Sequence, residues 1–272
     1  MSDKTGIQWT DATWNPVSGC SKVSPGCKNC YAERDWNRLS KNPKSPYFGR
    51  DFTDVKLHPE RLAQPLRWRK RPRRIFVNSM SDLFHEDVPN NFIADVFWFM
   101  EGVAPMHTYQ ILTKRPERMR ELLTKWSELT EWNAEPNVHL GVSVETREQY
   151  GRISELHHTP AAVKFLSLEP LLEAVPDLPL MDYPSRIEWV IVGGESGPNA
   201  RPCNINWIRQ IVAQCRAAGV PVFVKQLGAV PCQFDEGGPR NQIPRIFRNR
   251  LDRAGADPAE WPEDLRIREF PR

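Results

Sequence analysis

No stretch of this 272-residue chain approaches the ~18 consecutive apolar residues that a membrane-spanning helix needs. The first residues, MSDKTGIQWT, lack the basic, then apolar, then small succession of a secretory signal. A cytoplasmic protein with no membrane partner is therefore expected. The formal net charge of +3 is too small to imply a polyanionic partner by itself. A dinucleotide fingerprint is missing as well. Gly193 and Gly194 are adjacent, but no third glycine follows at the required spacing. In a reducing compartment the six cysteines are not expected to form a disulfide framework.

What is present is an ordinary globular composition, 40% hydrophobic and 26% charged, which argues against global disorder. The middle of the chain repeats one theme. Short β-branched or aromatic runs at 74–78, 109–113, 138–143, 163–167, 189–193 and 222–225 alternate with helix-like segments. Their spacing of roughly 25 to 35 residues is that of a βα unit. Runs that are apolar nearly throughout suit parallel strands buried on both faces. Helices are expected over 91–103, 117–129 and 204–218. The last places Cys215 on its apolar face and ends at Gly219. The expected fold class is α/β, a partial (β/α)-type barrel of about six to seven parallel strands. It would span residues 1–230, with an irregular extension over 231–272 packed on it.

Each run exits into polar residues: Asn78, Ser79 and Asp82; Lys114 and Arg115; Ser143 and Glu145; Ser167 and Glu169; Gly193, Gly194 and Glu195. Active sites of barrel-like α/β folds lie at the C-terminal strand ends, so these clusters fit one shared polar cavity. The competing reading is ordinary loop polarity and helix N-caps. The glycine pair would let the backbone approach a ligand closely.

Cys20, Cys27 and Cys30 fall within eleven residues with spacing C-x6-C-x2-C. Three thiolates can wrap one metal centre. Structural zinc usually takes four ligands, and no fourth Cys or His lies close by in sequence. A [4Fe–4S] cluster held by three Cys leaves one iron open to chelate a small molecule. Zinc completed by a distant group such as Cys232 or His85 is the alternative.

The triad followed at once by Tyr31, and then a βα series, resembles the radical S-adenosylmethionine (SAM) superfamily, although the usual C-x3-C-x2-C spacing is longer here by three residues. More closely, IQWTDATWNPVSGC, CKNCYAE, VNSMSDLFHEDVP, LTKRPERM, GVSVE, SLEPLL and VGGESGPNARP resemble a phage-associated three-Cys-motif family of unknown function, with spore photoproduct lyase as a more distant relative. The resemblance implies two cofactors, a [4Fe–4S] cluster and S-adenosylmethionine. It also implies an electron donor protein. By the same resemblance, Asn78, Ser79 and Asp82 would hold the methionine end of S-adenosylmethionine, and Ser143 and Glu145 the ribose. Lys114 or Arg115 would pair the carboxylate. The superfamily's early Gly-Gly-Glu is missing from its usual place, and Gly193-Gly194-Glu195 occurs later instead.

Cys203 is a candidate to return a hydrogen atom to a product radical, against the plainer reading of a packed thiol. Between Arg61 and Arg74 lie seven basic residues and no acidic one. Within this stretch Arg67, Arg69, Lys70, Arg71, Arg73 and Arg74 could pair phosphates, and Trp68 could stack on a base. Nucleic acid is thus the favoured substrate. A peptide or small-metabolite substrate, or a non-enzymatic metal-stabilised nucleic-acid-binding protein, are the rivals.

Overall fold

The computed structural model describes residues 5–130, 132, 135–182, 185–234 and 252–271. The chain divides into two compact units. One comprises Met1–Val142 and His158–Lys164, the other Ser143–His157 and Phe165–Arg272.

In the first unit β1 (Ala12–Trp14) leads to β2 (Val17–Ser18), and α1 (Tyr31–Leu39) follows the cysteine segment. Then come β3 (Lys56–Leu57), β4 (Arg74–Val77), α2 (Asn90–Trp98), β5 (Thr108–Thr113), α3 (Pro116–Thr130) and β6 (Val138–Ser143). β1 pairs in parallel with β4, β4 with β5, and β5 with β6. β2 and β3 form a separate antiparallel pair. Trp14, Ile75, Val77, Tyr109, Ile111 and Leu140 are almost wholly buried, as strands covered on both faces require.

The second unit contains α4 (Gly151–His157), β7 (Val163–Leu168, from Phe165), β8 (Trp189–Gly193), β9 (Cys203–Asn204), α5 (Ile205–Ala218), β10 (Val222–Gln226) and β11 (Pro231–Cys232). β7 pairs in parallel with β8, and β8 with β10. Asn204 caps α5 through its side chain, and Gly219 ends the helix at φ +65°, a left-handed turn that glycine adopts without cost. Cys215 is fully buried in the core, as its place on the apolar face indicates.

The strand order is β1-β4-β5-β6-β7-β8-β10. Within each unit the parallel strands thus follow one another in chain order, the order in which a (β/α) barrel lays down its strands. All six expected strands are present. β1 was not expected, because three residues give no periodic signal.

Of the expected C-terminal extension, residues 235–251 and 272 lie outside the described residues. Residues 252–271 are irregular, and they cover the edge of β10. Val224 N–H donates to the Ile267 carbonyl at 2.9 Å, and Glu269 N–H to the Val222 carbonyl at 3.0 Å. Phe270 stacks on Trp189 with ring centroids 5.7 Å apart. An edge strand satisfied in this way does not offer its backbone to another chain.

No helix among the described residues is long and apolar enough to cross a membrane.

Candidate metal and cofactor site

The cysteine segment leaves β2 through Gly19, whose φ is +93°. A Cβ there would lie 2.3 Å from the Asp54 carbonyl oxygen, so only glycine fits the turn. Gly19 N–H then donates to Met80 O at 3.0 Å, and Cys20 N–H to Phe52 O at 2.8 Å. Cys27 closes a short 3-10 turn, Pro25–Cys27. Cys30 occupies the N-cap of α1. All three thiols are free and half-buried.

Burial pushes the Cys20 thiol up to about 12, helped by the nearby Asp82 carboxylate and opposed by Arg115; Cys27 adds a further rise. Among the described residues, no group of three or more His, Cys, Asp or Glu side chains is gathered as a metal site. The donor set itself suits an iron–sulfur cluster: three thiols on one loop, one at a helix N-terminus and one beside a guanidinium.

Polar groups at the ends of β4 and β5 adjoin this loop. Asp82, nearly buried, accepts from Thr113 Oγ1 at 2.7 Å, Phe84 N at 3.0 Å and Lys114 N at 3.0 Å. Arg115 donates to Asp82, Glu86, Ser21 and the Cys20 sulfur. It is only 9% exposed, and it is committed inside the protein. The carboxylate-pairing role expected for Arg115 would have to compete with these internal contacts. Lys114 is half-buried beside it. Ser79 donates to Asn15 Oδ1 at 3.2 Å. Asn78 holds φ +61° immediately after β4. Its Oδ1 accepts from Val17 N at 3.2 Å, and its buried Nδ2 has no partner among the described residues. A buried donor without an acceptor is costly unless a ligand supplies one.

Support residues that the sequence did not reveal are Ser21, His85 and Glu86. His85 Nδ1 accepts from Asp87 N at 3.1 Å, so its proton sits on Nε2, which meets Ser21 Oγ at 2.8 Å. Ser21 Oγ in turn faces Glu86 Oε1 at 3.3 Å. With both ring nitrogens engaged, His85 is a poor candidate to complete a zinc site. Burial and Arg115 lower its pKa, which favours this neutral form.

In the second unit the expected residues are largely bound to one another. Glu145 is fully buried against Arg152 at 3.1 Å, and Arg152 also donates to the Ser143 carbonyl at 2.8 Å. Ser143 and Ser167 are 1% exposed. Lys225 Nζ lies 3.1 and 3.2 Å from the two Glu169 oxygens. Glu195 takes a bidentate pair from Arg201 at 2.6 and 2.9 Å. The glycine pair is explained by close packing. A Cβ on Gly193 would meet Glu169 Oε1 at 2.7 Å, and one on Gly194 would meet Leu227 O at 2.4 Å and Cys203 Cβ at 2.8 Å. The close approach expected for a ligand is made by the protein's own chain.

Cys203 is fully buried on β9, and burial pushes its thiol up. A hydrogen donor must reach its substrate radical, so this thiol reads as a packing group. The base-stacking role expected of Trp68 meets the same obstacle of burial. Trp68 is 7% exposed, it meets His107 edge-on, and Arg73 covers its ring at 5.4 Å. Arg74 pairs Asp11 at 3.0 Å. Burial works against the Asp11 carboxylate, but hydrogen bonds and charge from Arg74 outweigh it and its pKa falls below the ordinary value. Arg67, Arg69, Lys70 and Arg71 remain exposed.

A family model described as "Protein of unknown function (DUF5131)" matches residues 4–254. The chain belongs to that family. No curated protein matches it, and no solved structure does. The family description names no chemistry, so the functional reading rests on the site.

Proposed function

We propose that the chain is a radical S-adenosylmethionine enzyme whose [4Fe–4S] cluster is held by Cys20, Cys27 and Cys30. The observation that carries the reading is a loop bearing three free, half-buried thiols, one of which, Cys20, accepts from Arg115, itself paired with Asp82. Held by these three cysteines, such a cluster would supply, when reduced and with S-adenosylmethionine bound, the single electron for reductive cleavage of the S–C5′ bond to methionine and a hydrogen-abstracting 5′-deoxyadenosyl group.

The chain's own residues would do the rest. Deprotonating Cys20 against its raised pKa is a cost that metal ligation offsets. Arg115 opposes that rise at Cys20 by charge and hydrogen bond. Asn78 Nδ2 offers S-adenosylmethionine a preset donor, with Ser79 beside it after β4 and Lys114 following the paired strand β5. In the second unit, Ser143, Glu145, Ser167, Glu169 and Glu195 support the reading only as structure, because ion pairs and burial occupy them.

For substrate we favour nucleic acid, approached through the exposed cations Arg67, Arg69, Lys70 and Arg71. A cytoplasmic setting would keep the thiols reduced and provide the electron donor protein that the chemistry needs. Anaerobic purification tests the cluster. Brown protein with about four irons per chain, lost in Cys20→Ala, Cys27→Ala and Cys30→Ala but kept in Cys215→Ala, is the expected result. Colourless protein with stoichiometric zinc contradicts it and favours a metal-stabilised binding protein.

A further inference from the structure

We infer that Arg115 is a positioning residue. Its guanidinium clasps the Cys20 limb of the three-cysteine loop to the ends of β4 and β5, and keeps a fixed positive charge on the Cys20 sulfur. The charge arm of this inference rests on the reading of Cys20 as a cluster ligand; the clasp arm does not.

A guanidinium has five N–H donors in a rigid fork. Arg115 places five contacts: Nη1 to Cys20 Sγ at 3.7 Å and Asp82 Oδ2 at 3.3 Å, Nε to Glu86 Oε2 at 2.9 Å, and Nη2 to Ser21 Oγ at 2.7 Å and Ser21 O at 3.3 Å. The two ends of the clasp are 95 residues apart in sequence. The anchor is rigid, because Asp82 is itself fixed by Thr113 Oγ1 and the Lys114 and Phe84 amides. Thr113 Oγ1 also accepts from the Arg115 amide at 2.9 Å, tying the guanidinium's own backbone to the same point. Ser21 adds His85 to the assembly. Lysine keeps the charge but cannot reproduce the fork. A cation donating to a ligand sulfur stabilises the reduced, more negative state of a cluster and raises its potential.

Hydrogen exchange on metal-free protein tests the clasp. The Gly19 and Cys20 amides, bonded to Met80 and Phe52, report on the limb. In Arg115→Lys and Ser21→Ala they should exchange on the order of tenfold faster, the loss expected when a hydrogen bond to a charged group goes. β4 and β5 should stay protected and the thermal midpoint show that the fold persists. Ser21→Ala leaves no buried charge unpaired, so it serves even if an Arg115 variant unfolds. Unchanged exchange in the folded variants overturns the clasp.

Redox titration of reconstituted protein tests the charge. Arg115→Gln should move the cluster potential to a more negative value, while Arg115→Lys stays near the wild type. Equal potentials in wild type and Arg115→Gln overturn the charge arm. If wild-type protein takes up no cluster, the cluster reading and the charge arm fall together, and the clasp is judged on exchange alone.

Discussion

Glu145 lies fully buried with its carboxylate 3.1 Å from the Arg152 guanidinium, seven residues along the chain. Arg152 donates from the same nitrogen to the Ser143 carbonyl, so one cation ties the end of β6 to α4. Removing one partner of a buried pair strands the other charge. Glu145→Ala should therefore destabilise the protein by about 3–5 kcal/mol. Urea unfolding checks this. Glu145→Gln, which keeps an acceptor, should lose clearly less. A Glu145→Ala variant as stable as wild type would make Glu145 a ligand-binding candidate again.

The strand pattern was legible in the residues because buried parallel strands are apolar on both faces, and β4 through β10 of the sheet each carry such a run. β1 was not, since three residues hold no period. Of the proposed site only the cysteines stand out in the sequence, because their spacing suggests metal ligation. Arg115 and Glu145 were picked out as polar residues at strand ends, yet their partners are set by tertiary packing. Nothing in the order of residues says that Arg115 meets a cysteine 95 positions away, or that Trp68, inside a basic run, turns into the interior.

The basic segment divides by exposure, with Arg67, Arg69, Lys70 and Arg71 exposed and Trp68 buried. Replacing Arg67, Arg69 and Lys70 with Ser should weaken nucleic-acid binding and flatten its salt dependence by about one unit for each phosphate no longer neutralised, with stability unchanged. Trp68→Ala should instead lower stability by about 3–5 kcal/mol, the cost of emptying a buried aromatic site. Fluorescence anisotropy over a salt series, with thermal melts, separates the two. Absence of binding to DNA and RNA at low salt would leave the four cations as a solvated face.

Acid should destabilise the fold through its histidines. Burial holds His139 down at about 4, and its buried Nδ1 has no hydrogen-bond partner among the described residues. The unfolded chain takes up this proton at an ordinary pKa of about 6.5, while the folded one resists it. His139 therefore contributes no penalty above that value, and stability is lost as pH falls from there towards 4. His58 and His107 are shifted the same way, mainly by burial, so His139→Gln should flatten the profile only in part. Urea midpoints at about pH 7 and about pH 5, either side of the ordinary value, measure it. An equal drop in wild type and variant would show that His139 titrates normally.

The three cysteines are proposed to serve radical chemistry with S-adenosylmethionine. The most direct measurement is anaerobic reconstitution with iron and sulfide, then addition of dithionite and S-adenosylmethionine, with product analysis by mass spectrometry. The account predicts 5′-deoxyadenosine and methionine from wild-type protein and neither from Cys20→Ala. A fully loaded cluster that binds S-adenosylmethionine and leaves it intact under reduction, or a protein that assembles no cluster at all, would contradict it.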